Sequence, residues 1–118
     1  RRSPAKDVWP GWCDIAVGGV VGAGETYLEA AHRELAEEIG VTTETLAELD
    51  LGESRPYDDD QVSLLARCYL VTSEGPFTFD DGEVVEAWWV HRDGLDDLLV
   101  REKFLPDSLA LLLPHIDF

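Results

Sequence analysis

Positive charge is what this sequence has least of. Nine lysines and arginines stand against 25 aspartates and glutamates, a formal net charge of -16 over 118 residues. A broad electrostatic grip on a nucleic-acid polymer needs clustered Lys and Arg to replace counterions along the backbone, and this balance excludes it. A small anionic ligand would meet the same repulsion, so positive charge has to come from elsewhere, and a divalent metal ion is the obvious source. Cysteine is scarce as well. Cys13 and Cys68 lie far apart with no CxxC spacing, which argues against a zinc site or a disulfide scaffold and leaves two thiols expected to be buried. No stretch approaches ~18 uninterrupted apolar residues, and the first residues lack the charged, apolar, small-residue succession of a signal peptide, so the chain reads as soluble and cytoplasmic, with no membrane partner. Repeats, low-complexity tracts and linkers are also missing, and the length suits one domain spanning residues 1–118 around a single core.

What is present has clear punctuation. The stretch "RRSPAKDVWPGW" is basic and aromatic with two prolines, hence extended or looping. "DIAV" reads as a short strand and "GGVVGAGE" as a glycine-rich turn able to approach another group closely. Thr26 to Ile39 is the clearest helix: Thr26 with Glu29 makes a capping box, Gly40 is a C-terminal stop, and Leu28, Ala31, Leu35 and Ile39 form an apolar stripe. Beyond it, "TLAELDLGES" and "QVSLLARCYLV" read as strands separated by a polar loop "RPYDDD". "VVEAWWV" reads as a further strand, and "DGLDDLLVREKF" and "DSLALLLPHI" as two helical segments. The expectation is a single α/β domain.

The helix carries a cost that needs a reason. Glu34, Glu37 and Glu38 lie within five residues, and carboxylates three and four apart on a helix are neighbours that repel by a few tenths of a kcal/mol per pair. Carboxylate oxygens are also the donors that hard cations such as Mg²⁺ prefer, so a bound dication turns the repulsion into attraction. Two metals close together could activate a water and neutralise a phosphate-oxygen leaving group.

Reading outward from these glutamates gives G-x5-E-x7-R-E-U-x-E-E-x-G-U, with U aliphatic, complete at Gly19, Glu25, Arg33, Glu34, Leu35, Glu37, Glu38, Gly40 and Val41. This resembles the signature of the Nudix hydrolases, and no position departs from it. The resemblance implies a Nudix fold, a mixed β-sheet sandwiched between helices, and a hydrolase that cleaves the pyrophosphate bond of a nucleoside diphosphate linked to another moiety X. It implies Mg²⁺ or Mn²⁺ held by Glu34, Glu37 and Glu38 with a backbone carbonyl near Gly19. Glu37 and Glu38 are thereby the catalytic candidates, and Glu25 paired with Arg33 supports them by bracing the loop against the helix.

The likeness extends upstream of the motif. "RRSPAKDVWPGWCDIAVGGVV" resembles the Nudix subgroup that holds isopentenyl-diphosphate isomerase and its hydrolase-like relatives, in which the residues matching Arg2 and Lys6 grip a diphosphate. An isomerase is therefore the main rival. Aligned through "WPG", its cysteine falls on Gly18, five residues from Cys13, and its glutamate falls near Gln61, so both of its catalytic groups are missing and hydrolysis is preferred. A nucleotide-binding module without activity is the third reading, disfavoured because such proteins usually lose these glutamates. For a fourth carboxylate the candidates are Glu83, Asp58, Asp59, Asp60 and, first, Glu86. Trp9, Trp12, Tyr57, Trp88 and Trp89 could stack a base, though packing is the commoner role, and strand alternation would put Trp88 and Trp89 on opposite faces. His32, His91 and His115 show no ligand spacing. Nudix domains ordinarily place strands before the "RRS" segment, so the chain is expected to be N-terminally incomplete, with its exposed sheet edge covered by a partner chain, as in a homodimer.

Overall fold

The computed structural model describes residues 1–42 and 44–116. They form two compact units, one continuous, Val17–Asp81, and one assembled from Arg1–Ala16 and Gly82–Phe118. No helix among the described residues is long and apolar enough to cross a membrane.

In the continuous unit the helix α1 spans Tyr27–Ile39. Its first turn is closed by the expected box: the Thr26 hydroxyl accepts from the Glu29 N–H at 3.1 Å and the Glu29 carboxylate accepts from the Thr26 N–H at 3.1 Å. Its end is set by Gly40, left-handed at φ 73°, with the Gly40 N–H on Ala36 O at 3.2 Å and the Val41 N–H on Leu35 O at 3.2 Å. The packed stripe differs from the expected one. Ala30 and Leu35 are buried with Glu38, whereas Leu28 is 43% exposed. The inward face is thus centred between the apolar stripe and the acidic one, which draws a glutamate into the packing.

Four short strands follow: β1 Ala47–Glu48, β2 Arg55–Asp58, β3 Ser63–Ala66 and β4 Tyr69–Leu70. β1 pairs antiparallel with β4, Ala47 opposite Leu70, and β2 pairs antiparallel with β3, from Arg55 opposite Ala66 to Asp58 opposite Ser63. "RPYD", expected as loop, is therefore a strand. Arg55 and Tyr57 are its half-buried positions, alternating with exposed Pro56 and Asp58, and long polar side chains at inward positions hid the period of two. The turn belongs to Asp59, whose Oδ1 accepts from the N–H groups of Gln61 at 2.7 Å and Val62 at 2.8 Å.

In the discontinuous unit, residues 1–3 run antiparallel to residues 83–86: Ser3 N–H donates to Glu83 O at 2.9 Å, Val85 N–H to Arg1 O at 3.0 Å, and Arg2 bridges Val84. This pairing, with the Arg1 ammonium on Glu86 O at 2.7 Å as its last bond, is all that forms of the "VVEAWWV" strand; residues 87–90 have no strand partner among the described residues. "DIAV" likewise forms no strand; only Cys13, just before it, bridges Phe104 in parallel. α2 spans Arg92–Arg101, and α3 spans Pro106–Leu112 before a 3₁₀ turn at Leu113–His115 that carries Pro114. The core gathers Cys13, Leu98 and Phe104, with Ile15, Val90, Leu99 and Leu109 against them. Full burial of a Leu or Phe side chain contributes about 1.5–3 kcal/mol each. Both cysteines are free and buried, and burial pushes both thiols up.

Gly40 offers a direct check on this account. A Cβ there would be left-handed and would also collide with Thr78 Oγ1, whose own backbone N–H holds Ile39 O at 3.0 Å. Gly40→Ala should lose about 1–3 kcal/mol in urea unfolding. Gly18→Ala, with nothing near its Cβ, should stay within about 0.5 kcal/mol of the parent; equal losses at both positions would contradict the assignment.

Candidate active site

One side chain organises the acidic face of α1. Arg33 Nε and Nη2 donate to the two oxygens of Glu25 at 2.8 and 2.9 Å, a bidentate fork. Its Nη1 donates to Glu34 at 2.7 Å and to Glu37 at 3.3 Å, and its Nη2 also reaches Val20 O at 2.9 Å. The glycine-rich turn is therefore tied to the helix through a single guanidinium. Glu25 is locked from the other side by the Gly22 N–H at 2.9 Å. The Arg33 fork first, and the Gly22 N–H second, hold the Glu25 carboxyl down at about 2, and Glu25 and then Glu34 make the guanidinium more basic still.

Gly19 is needed here for space. A Cβ at that position would overlap the Glu34 carboxyl group, so the turn packs directly over this glutamate. The three glutamates of the helix end in different surroundings. Glu37 is 54% exposed in its side chain, Glu34 only 18%. Glu38 is 9% exposed as a residue, and a carboxylate oxygen of Glu38 lies within 4.8 Å of one from Asp81. One of these carboxylates is nearly buried and the other exposed, so together they offer oxygens at the edge of the packed face. A dication suits that arrangement, and the donors are the hard oxygens that Mg²⁺ and Mn²⁺ take, so the residues present fit such an ion.

Asp81 was not among the candidates read from the sequence. It lies 43 positions beyond Glu38, and helical spacing says nothing about a partner so distant; the acidic turn "DDGE" was the only signal available. Of the fourth-carboxylate candidates, Asp59 is consumed by its hairpin, with its carboxyl held down by the Tyr57 hydroxyl and then by the Val62 and Gln61 N–H groups. Glu86 is exposed, with Arg1 Nε at 3.9 Å. Lys6 Nζ lies 2.9 Å from Glu83, and Arg2 Nη2 donates to Val8 O at 3.0 Å while its Nε is buried with no acceptor among the described residues. Glu86, Lys6 and Arg2 all belong to the discontinuous unit.

The aromatic candidates already have neighbours. Trp9 and Trp12 pack with ring centroids 4.4 Å apart, Lys103 lies over Trp12, and the Arg1 guanidinium lies 5.9 Å over Trp88, while Trp89 is 75% exposed. His91 caps α2 through Nδ1, accepting from the Asp93 N–H at 3.3 Å.

A family model described as the NUDIX domain matches residues 1–111. The chain belongs to the Nudix family. The protein named as an uncharacterized Nudix hydrolase, YfcD, of Escherichia coli strain K12 is 35% identical over 113 residues, which is 95% of this chain and 59% of that protein. PA4841 of Pseudomonas aeruginosa, similarly named, is 32% identical over 118 residues, 99% of this chain and 68% of its own length. The crystal structure of DR0079 from Deinococcus radiodurans superposes with a TM-score of 0.78 at 27% identity, covering 99% of this chain and 72% of the other. Helices with small sheets on that template make the α/β Nudix fold. This chain spans a little under three-fifths of the length of its YfcD relatives.

The Glu25 environment sets a pH dependence. A carboxyl held at about 2 in the folded chain, against an ordinary 4.5, contributes stability that is complete above about pH 4.5 and is lost as pH falls from there to about 2. Glu25→Gln should start less stable at neutral pH and show a flatter decline of the unfolding midpoint across that window. Parallel pH profiles for parent and variant would show that the fork carries no linkage.

Proposed function

We propose that this chain is a metal-dependent hydrolase that cleaves the pyrophosphate bond of a nucleoside diphosphate linked to another moiety X, with residues 1–118 acting as one Nudix domain. The observation that carries the reading is the Arg33 fan: it sets Glu34 beneath the glycine-rich turn while Glu38 is drawn inward beside Asp81. Glu34, Glu37 and Glu38 would hold Mg²⁺ or Mn²⁺, with the Gly19 backbone as a further donor. A bound dication supplies charge neutralisation on the phosphates and a more acidic water.

The residues around it divide the remaining work. Glu25 remains ionised at any working pH, and a carboxylate held at about 2 is a poor proton acceptor. Its role, with Arg33, is to fix the turn and keep Glu34 aimed. Arg2 and Lys6 are proposed to grip the diphosphate, and Lys6 must exchange its bond to Glu83 for one to phosphate as substrate enters. Glu86 is retained as the weaker candidate for a supporting carboxylate. The substrate is a small diphosphate, proposed to be a nucleotide; a nucleic-acid polymer does not suit a chain of net charge -16.

The isomerase reading fares poorly on geometry. It needs a thiol and a carboxyl facing substrate carbon, but Cys13 is 2% exposed within the core and Gln61 belongs to the β2–β3 turn. Isopentenyl diphosphate followed by NMR should show no migration of its double bond, whereas a panel of nucleoside diphosphate derivatives should release phosphate-containing products. Migration would reverse the order of the two readings.

Glu38→Gln keeps the shape of the side chain and removes one charge. It should leave the fold intact and reduce turnover by about 10²-fold or more, and excess chelator should abolish activity in the parent. Lys6→Ala should raise KM, leave metal affinity nearly unchanged and lessen the salt dependence of binding. Undiminished turnover in Glu38→Gln would remove the metal reading, and a parental KM in Lys6→Ala at low ionic strength would move the phosphate grip to other residues.

A further inference from the structure

One cation of the continuous unit is held firmly and left with donors to spare. Residues 17–81 contain three arginines, Arg33, Arg55 and Arg67, and no lysine. Arg33 spends its donors on Glu25, Glu34, Glu37 and Val20 O, and Arg55 Nη1 lies 3.5 Å from Asp50 Oδ1. Arg67 differs from both. It follows β3 directly, it is exposed, and no carboxylate among the described residues forms an ion pair with it. Its guanidinium carbon lies 4.7 Å over the centre of the Tyr27 ring, and its Nε donates to Ser54 Oγ at 3.2 Å. The ring fixes the plane of the guanidinium, and the hydroxyl fixes its direction within that plane. Nη1 and Nη2 carry the other four N–H groups, and neither has an acceptor among the described residues. Glu29, the carboxylate in the first turn of α1, is turned back onto the Thr26 N–H by the capping box and does not neutralise the arginine. Two open Nη groups side by side present the spacing that a phosphate takes with two parallel bonds.

Tyr27 relates this fork to the candidate site. Tyr27, Ala31, Glu34 and Glu38 are four, three and four residues apart, the spacing that lines one face of a helix. Alanines at 30 and 31 keep that face clear of long side chains between the tyrosine and the glutamates. Seven residues separate Tyr27 from Glu34, about 10 Å along the axis, and both side chains lean the same way toward the helix start.

We infer that Arg67, stacked on Tyr27, is a second phosphate site, and that the substrate carries a further phosphate about 10 Å from the one bound at the metal. The distance rests on the metal-dependent reading above; the anion site rests on the geometry of Arg67 itself. A diphosphate spans only a few ångströms, so the group that Arg67 takes is no part of the bond that is cleaved. It belongs to moiety X or to the sugar of the nucleoside. Binding energy gained there is the same before and during cleavage, so it acts on KM and selects substrates bearing the additional phosphate.

Inorganic phosphate titrated into the metal-free chain tests the site without turnover. The NMR signals of the Arg67 Nε–H and the Tyr27 ring should shift together and saturate. Arg67→Lys keeps the charge but loses the fork, and should weaken phosphate binding about tenfold. Phosphate shifts that leave Arg67 and Tyr27 still, or binding unchanged in Arg67→Ala, would overturn the site. NADPH and NADH are nucleoside diphosphate derivatives that differ by one phosphate, and they test its use. In Arg67→Ala the ratio of kcat/KM for NADPH to that for NADH should fall about tenfold, through KM. An unchanged ratio would make Arg67 a packing partner of Tyr27 and overturn the selection. Cleavage of neither compound by the parent would count against the hydrolase reading, while the phosphate titration decides Arg67 by itself.

Discussion

The guanidinium of Arg33 reaches three carboxylates and one backbone carbonyl, and the rest of the candidate site depends on that fan. Arginine has five N–H donors in a rigid plane, and five hydrogen bonds leave Arg33, to Glu25 twice and to Glu34, Glu37 and Val20 once each. A lysine could not reproduce this, since its ammonium is a compact charge with three donors and no fork. Because two of the bonds end on Glu25 and one on Val20, the turn before the helix cannot shift without breaking them. Because two others end on Glu34 and Glu37, the same side chain also fixes the shape of the acidic face.

The same fan explains how a helix tolerates its own repulsion. Arg33 offsets part of the charge of Glu34 and Glu37, and the capping box and the Gly40 stop hold the ends of the helix independently of that face. Glu38 is the position where stability yields to something else: a carboxylate occupies the inward side of α1 where an apolar residue would pack better, with Asp81 near it. Sequences break local rules of this kind where a site requires it.

Much of this was legible before any coordinates. The spacing from Gly19 to Val41 identified the family; Thr26 with Glu29 and Gly40 set the ends of α1; and the two cysteines were expected buried and are. The errors have specific physical origins. Leu28 belongs to the apolar stripe by its spacing, yet the packed face is turned toward Glu38 and leaves it exposed. "RPYD" looked like loop because strand alternation there is carried by Arg55 and Tyr57 rather than by aliphatic residues. "VVEAWWV" has the composition of a full strand, but pairing needs a neighbour, and beyond Glu86 no segment among the described residues supplies one.

The sequence by itself determined what fixed spacing along the chain can determine: which carboxylates share a helix, where that helix starts and stops, and which glycines must lie close to another group. Positions three and four apart on a helix meet through local geometry alone, so Glu34, Glu37 and Glu38 were readable as a set, whereas the pairing of Glu25 with Arg33 came from the family resemblance. Only the tertiary structure decided which residues distant in the chain meet. Asp81 beside Glu38, Lys6 against Glu83, and Cys13 beside Phe104 each depend on how dozens of intervening residues close a loop. That closure is set by the packing of side chains against one another, and no local pattern in the sequence encodes it.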